Sequence, residues 1–342
     1  MGPLTRNETI RNRLLGIITV ILAIGALRAS YPVTMPLAAA FVVIAAIWPI
    51  KPWLDRFLTP GLSYVATMLV LAVVVTGFTV AVYFSAAQVV SAFERSWDRL
   101  DVLYRHVSDW TASWGWSLDG EEGYRRLVGV ARGLLQNIYT ILGYLGFTAL
   151  LVVFGLPEVP ALRLKLRETF TRDEQQEVLA SIEAIAEKIR QYLGISTFTS
   201  LLTGVATGLY ALAVGLDLAL VWGVLNFLLN YIPVVGNLVG IVPPTLFAFV
   251  QFQTKTAPAI VFLGLAAIQL AISNVVYPML QGRSLALSPL AIIVALSFWS
   301  WVWGIAGAVL AVPLTAAIVI TCDGFQSTQW IARLLSEPRR RG

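Results

Sequence analysis

The side chains able to do chemistry in this chain are mostly amides, and they sit inside apolar sequence. Asn226, Asn230 and Asn237 fall four and seven residues apart in "NFLLNYIPVVGN", so the first two share a helix face. Gln269, Ser273, Asn274 and Tyr277 make a comparable polar face in "QLAISNVVY". An amide in hydrocarbon is costly unless paired, so both faces must meet protein or a wet cavity. Two roles follow: hydrogen bonds between helices, or contacts to a small polar ligand. Charge is scarce here. Between Ile195 and Cys322 the charged residues are Asp217, Lys255 and Arg283. Arg283 could bind an anionic solute, cap free carbonyls, or anchor a segment on the basic side of a membrane. Asp217 is the one carboxylate of this half. It is therefore the sole candidate for coupling to a proton or cation, with a plain loop residue as the other reading.

Other chemistries are excluded by what is missing. His106 is the only histidine and Cys322 the only cysteine. A Cys/His zinc set cannot be assembled, nor a Ser-His or Cys-His pair away from His106. No Gly-rich loop followed by Lys-Ser/Thr occurs in the sequence, which argues against ATP as the energy source. The expectation is a protein that is no enzyme and that uses no cofactor or metal.

The elements that must position these amides are membrane helices. The 342 residues are 58% hydrophobic and 13% charged, half the charge of an ordinary soluble domain. The net charge of +5 lies in short clusters flanking apolar runs, where it sets topology rather than binding nucleic acid. Three spans are expected within residues 1–90: Leu14–Ala29, Val33–Ile50 and Leu62–Val90. Residues 91–136 are charged, with apolar positions at helical spacing and tryptophans at 110, 114 and 116, and read as an extracytoplasmic amphipathic region. A fourth span follows over 137–157, and a cytoplasmic amphipathic helix over 158–193, opened by the helix-start composition "TRDEQQ". Residues 194–322 form the expected transport core and 323–342 a cytoplasmic tail. Basic residues flank the spans at Arg6, Arg11, Arg13, Lys51, Arg56, Arg163, Lys165, Arg167 and Arg339–Arg341, which puts both termini in the cytoplasm.

Two segments of the core are broken. "NYIPVVGNLVGIVPP" carries three prolines and two glycines in an otherwise buried run. The apolar pieces on either side, Leu218–Tyr231 and Leu238–Val250, are too short to cross a bilayer comfortably. Leu287–Phe298 and Ile305–Ile320, joined through "WSWVWG", repeat the plan. Sliding the first unit so that Leu218 falls on Leu285 also carries Gly240 onto Gly307. Pro233, Gly236, Pro289, Gly304 and Pro313 are the expected gating or hairpin positions. Non-helical backbone at membrane depth is tolerated only where protein or water surrounds it. Two re-entrant hairpins, each following a full helix, would make an inverted repeat of the kind used by secondary transporters. Kinked full spans are the alternative. The fold class expected is an all-α polytopic membrane protein of about eight hydrophobic segments.

These motifs resemble the autoinducer-2 exporter family of bacterial permeases. Its members carry an Asn-Phe/Tyr-Ile-Pro-x-x-Gly turn, here Asn230–Gly236, and an Asn-x-x-x-Pro element, here Asn274–Pro278. A Gly-Arg-Ser-Leu-x-Leu-x-Pro-Leu element follows at Gly282–Leu290, and a Gly-x-x-Gly-x-x-x-Ala-x-Pro-Leu ending at Gly304–Leu314. This chain has Asn237 where many members have proline, and Ser273 where many have glutamate. The resemblance implies a multi-pass transporter of the bacterial cytoplasmic membrane that forms homo-oligomers, a pentamer among the forms implied. It also implies a small solute, a furanosyl signal in some members, with sodium/proton antiport in others. The function expected is a secondary permease or exporter working by alternating access, with Asn226, Asn230, Asn237, Gln269, Ser273, Asn274 and Arg283 as solute contacts. A sodium or other cation/proton antiporter turning on Asp217 is the alternative, and a membrane scaffold that transports nothing is the third.

Overall fold

The structure, a computed structural model, describes residues 6–95, 138–169, 171–232, 235–252, 254, 256–281, 287–324 and 328–336. The regular elements among them are helices. They are α1 (Arg6–Ala29), α2 (Tyr31–Ile47), α3 (Ile50–Leu54), α4 (Pro60–Arg95), α5 (Ile138–Thr169), α6 (Arg172–Ala213), α7 (Ala219–Leu229) and α8 (Val235–Gln251). Next come α9 (Thr256–Ala271), which runs through a π-helical turn (Ile272–Val276) into α10 (Tyr277–Gln281), then α11 (Pro289–Gly324) and α12 (Gln329–Leu335). Six helical segments are long and apolar enough to cross a membrane, and three shorter apolar ones include α7 and most of α8. The chain is an all-α polytopic membrane protein. Leu69, Val73, Leu209, Leu212 and Leu263 stand exposed on these helices, as expected where lipid replaces water as the solvent.

Element ends differ from the expected ones in informative ways. α5 continues through Pro157 and Pro160 to Thr169, because each proline removes one N–H without forbidding helical φ. α6 passes unbroken from its charged first half into its apolar second half. Its start carries one arm of a capping box: the Thr171 backbone N–H donates to the Glu174 carboxylate (3.2 Å), and the Thr171 hydroxyl donates to the same oxygen (2.8 Å). After α3, Lys51 Nζ bonds Asp55 Oδ2 at 2.9 Å, and that ammonium holds the Asp55 carboxyl below its ordinary value. Of the expected amphipathic region 91–136, only the end of α4 is described; His106 lies outside the described residues.

By contact the chain divides into two units. One comprises Met1–Ala45, Leu150–Ile189 and Ala286–Gly342, the other Ala46–Ala149 and Arg190–Leu285. In the second unit α7 packs against α4 and α8, and α8 against α9. Its core is Trp222, Phe247, Ala248, Val261 and Leu265, with Ala211, Leu216 and Ala219. α6 and α7 meet backbone to backbone: a Cβ on Gly204 would lie 2.8 Å from the Gly223 carbonyl oxygen, and one on Gly223 3.3 Å from Gly208 Cα. Small residues four apart permit such approach between membrane helices, where packing rather than the hydrophobic effect drives association. In the first unit α11 packs against α12 and α1, and Ser288 N–H donates to Leu335 O at 2.9 Å, tying the start of α11 to the end of α12.

Candidate functional site

The amides of the second unit are brought together where α7 and α8 fold back on each other. Asn226 and Gly240 stand 14 residues apart, yet Asn226 Nδ2 donates to Gly240 O at 3.0 Å; in a continuous helix they would lie ~21 Å apart. The reversal depends on Gly236, buried against the Leu229 carbonyl, where any Cβ would collide with that oxygen. Pro233, in the turn, lies outside the described residues. At the open end, the Gln251 amide ties the loop before α7. Its Nε2 donates to Gly215 O (2.7 Å) and its Oε1 accepts the Asp217 N–H (2.8 Å). Leu218, the N-cap of α7, is held at φ 60, a left-handed conformation that costs a non-glycine residue about 1–2 kcal/mol.

The helix faces change character in steps of four, from apolar to polar on α7 and α9 and down to glycine on α8. On α7 the series is Trp222, Asn226, Asn230; on α8 it is Ala248, Pro244, Gly240, Gly236; on α9 and the π-helical turn it is Val261, Leu265, Gln269, Ser273. The apolar end closes on Trp222, fully buried, whose ring lies 5.6 Å from Phe247. One turn on, Asn226 is 1% exposed and Gln269 4%. Asn226 Nδ2 donates to Trp222 O (3.1 Å) and Gly240 O, and its Oδ1 accepts Gln269 Nε2 at 3.1 Å. Gln269 Oε1, buried, has no donor among the described residues, a deficit of about 1–3 kcal/mol if left unfilled. A further turn on, Asn230 Nδ2 donates to Ser200 Oγ (3.1 Å) and Asn237 Nδ2 to Ser273 Oγ (2.7 Å).

Thus the structure pairs Asn226 with Gln269 and Asn237 with Ser273, and gives Asn230 a partner on α6. Asn274 is exposed beside them, and Arg283 lies outside the described residues. The Asp217 side chain is exposed; its backbone does the work, with its carbonyl accepting Trp222 Nε1 at 2.9 Å. The sequence reading missed the α6 contribution. Ser196, Thr199, Ser200, Thr203 and Thr207 are all buried at helical spacing, the signal that could have found them. Beyond them, Tyr231 Oη donates to Thr197 Oγ1 at 2.9 Å. The π-helical turn was missed too. Tyr277 N–H bonds Ile272 O, and Pro278 has no N–H, so the Ser273 carbonyl loses both its α-type and its π-type donor.

The first unit holds the other broken segment. α11 leaves helical geometry at Trp303 (φ −129, ψ 17) and Gly304 (φ 63, ψ −141), the latter a backbone region open essentially to glycine. Trp299 Nε1 donates to Thr315 Oγ1 at 3.2 Å across 16 residues, which a straight helix would hold ~24 Å apart. A Cβ on Gly307 would collide with the Trp299 carbonyl oxygen, so in the structure Gly307 matches Gly236 rather than Gly240, with which the sequence register aligns it. Pro313 is buried beyond the turn and Pro289 opens the helix. The tip is clasped by α1: Trp303 Nε1 donates to Leu27 O at 3.4 Å, and the Arg28 guanidinium lies 4.2 Å over the Trp301 ring.

Comparison with known proteins places these features. The sequence pattern of a family described as AI-2E family transporter matches residues 17–326. A Haemophilus influenzae protein, named provisionally as a transport protein, is 27% identical over 97% of this chain and 98% of its own length. A similarly named Borreliella burgdorferi protein is 27% identical over 90% of this chain and 85% of its own. The AI-2 transport protein TqsA of Escherichia coli is 33% identical over 60% of this chain and 58% of its own.

Proposed function

The chain belongs to the AI-2E transporter family, and from that premise we propose that it carries a small polar solute along the uncharged polar face between α6, α7, α8 and α9. It is a multi-pass membrane transport protein and not an enzyme. The proposed route is lined by Ser200, Asn230, Asn226, Gln269, Asn237 and Ser273, with alternating access supplied by the two fold-backs entering the bilayer as re-entrant hairpins. The supporting observation is the placement of paired amides at a helix reversal, which membranes tolerate only beside protein or a wet cavity. Both termini are placed in the cytoplasm by the basic flanks, and the working form is a homo-oligomer in the bacterial cytoplasmic membrane. A small signal such as AI-2, named for the Escherichia coli relative, is the first solute to test. An antiporter turning on Asp217 has less support, since that side chain is exposed.

The test is Ser200→Cys in a Cys322→Ser background, probed with a membrane-impermeant thiol reagent. Ser200 is fully buried, so labelling requires water to reach the polar face in some state. The expected outcome is labelling that added solute slows. Complete protection from both sides of the membrane would defeat the reading.

A further inference from the structure

The mouth of the second fold-back is closed by α12. Thr328 Oγ1 donates to Cys322 O (3.0 Å) and Gln329 Nε2 to Asp323 O (3.1 Å), so the front of α12 caps the last carbonyls of α11. At its other end, Leu335 O accepts the Ser288 N–H, and Ser336 pairs antiparallel with Leu287 just before α11 begins. A straight helix would hold Ser288 and Asp323 ~50 Å apart. α12 has seven residues and is ~10 Å long. One short helix therefore straps together the two ends of the fold-back.

The strap has two faces. Ala332 is buried, and Ile331 and Leu335 are half-buried, where α12 packs on α11. Trp330 and Leu334 are four apart and share a face; they are 61% and 70% exposed, and Arg333 is exposed beside them. Leu290, on the first turn of α11, is also exposed. The charge here is one-sided: from Thr328 onward the sequence holds Arg333, Arg339, Arg340 and Arg341 against Glu337 alone.

An exposed indole and leucine with arginine between them match the chemistry of a bilayer surface. Indoles settle at headgroup level, and a basic cluster next to a membrane segment attracts anionic lipid. A soluble polyanion could take the arginines, but it would offer Trp330 and Leu334 no apolar counterpart. We propose that the Trp330–Leu334 face of α12 docks into an anionic lipid leaflet, with Arg333 on the lipid phosphates, and so fixes the mouth of the second fold-back to the membrane surface. This goes beyond the solute route along α6–α9 and does not depend on it.

The experiment places a nitroxide at Leu334→Cys in the full-length protein, in a Cys322→Ser background. The protein is held in nanodiscs of phosphatidylcholine, with or without phosphatidylglycerol. Power saturation then compares oxygen, enriched in lipid, with a neutral nickel chelate, enriched in water. With phosphatidylglycerol present, oxygen should be the stronger relaxer. That preference should fall about threefold or more in pure phosphatidylcholine. It should fall likewise with phosphatidylglycerol when Arg333, Arg339, Arg340 and Arg341 are all changed to glutamine. Should Leu334→Cys fail to fold, Trp330→Cys repeats the measurement one turn earlier. A stronger effect of nickel in the anionic discs would overturn the proposal, as would an oxygen preference indifferent to lipid charge. So would shielding from both relaxers in either lipid, the result of a second copy covering this face.

Discussion

The fold-back spanning Asn226–Gly240 and the one spanning Trp299–Thr315 use the same backbone device and fill it differently. In each, a glycine is pressed against a carbonyl of the preceding helix, Gly236 on Leu229 and Gly307 on Trp299. The first is packed with amides: Asn226 sits between Trp222 and Gly240, with Gln269 behind it. The second is packed with indoles and small apolar residues. Trp299 and Trp303 lie 4.9 Å apart, and Leu296, Ala308 and Ala311 are buried around the turn. In a membrane a helix reversal needs its backbone satisfied, but nothing requires a polar interior. The aromatic version is pinned by indole N–H groups given to the Thr315 hydroxyl and to the Leu27 carbonyl of α1. The amide version differs in ending, among the described residues, with an acceptor to spare at Gln269. One interior is closed by aromatic and small apolar packing; the other is the one where the proposed function puts a solute.

The shared device is best tested where it would fail hardest. Gly236→Ala and Gly307→Ala each drive a methyl into a backbone oxygen that no rotamer change can move aside. Each should cost about 3 kcal/mol or more, the top of the range for overpacking, and show as lost monodisperse protein on gel filtration or a collapsed melting temperature. Gly194→Ala, which meets open space, should be neutral or slightly stabilising. If Gly307→Ala were tolerated while Gly236→Ala was not, the second segment would be free to straighten, and the likeness of the two would be superficial.

The difference in filling predicts a graded response. Asn226→Leu keeps the branched outline but strands Gly240 O and Gln269 Nε2. A cost of about 2–3 kcal/mol is expected, together with loss of any solute response. Trp299→Phe removes one indole N–H and strands the Thr315 hydroxyl. About 1 kcal/mol is expected, with flux in proteoliposomes retained. Equal effects on flux would mean that both interiors contact the solute.

Much of this arrangement was legible before the structure, and the parts that were not have physical reasons. Proline and glycine punctuation placed both breaks, because few residues fit an interrupted membrane helix. The spacing of Asn226 and Asn230 put them on one face, and the polar face of Gln269 and Ser273 was visible as its counterpart. The register between the broken segments was not legible. Apolar sequence aligns Gly240 with Gly307, whereas the close approach to a carbonyl aligns Gly236 with it, a contact that no local pattern reports. The hydroxyl stripe of α6 was hidden because the helix begins as a charged amphipathic segment and changes character without a break. The π-helical turn was hidden because Pro278 signals an interruption without saying which carbonyls it frees.

The smallest expected effect tests how the aromatic fold-back is held. Near the end of α1 the Arg28 guanidinium stacks on Trp301 beside the Gly304 turn. Arg28 is exposed, so Arg28→Ala should cost only about 0.5–1 kcal/mol, read as a small fall in melting temperature. Arg28→Lys keeps the charge and should recover part of that loss, since an ammonium stacks less well on an indole than a planar guanidinium does. Trp301→Leu should match Arg28→Ala, and the double variant should cost no more than either single one, because the pair shares one contact. Additive losses would mean that the two residues act independently and that the tip is held by the Trp303 bond to Leu27 alone.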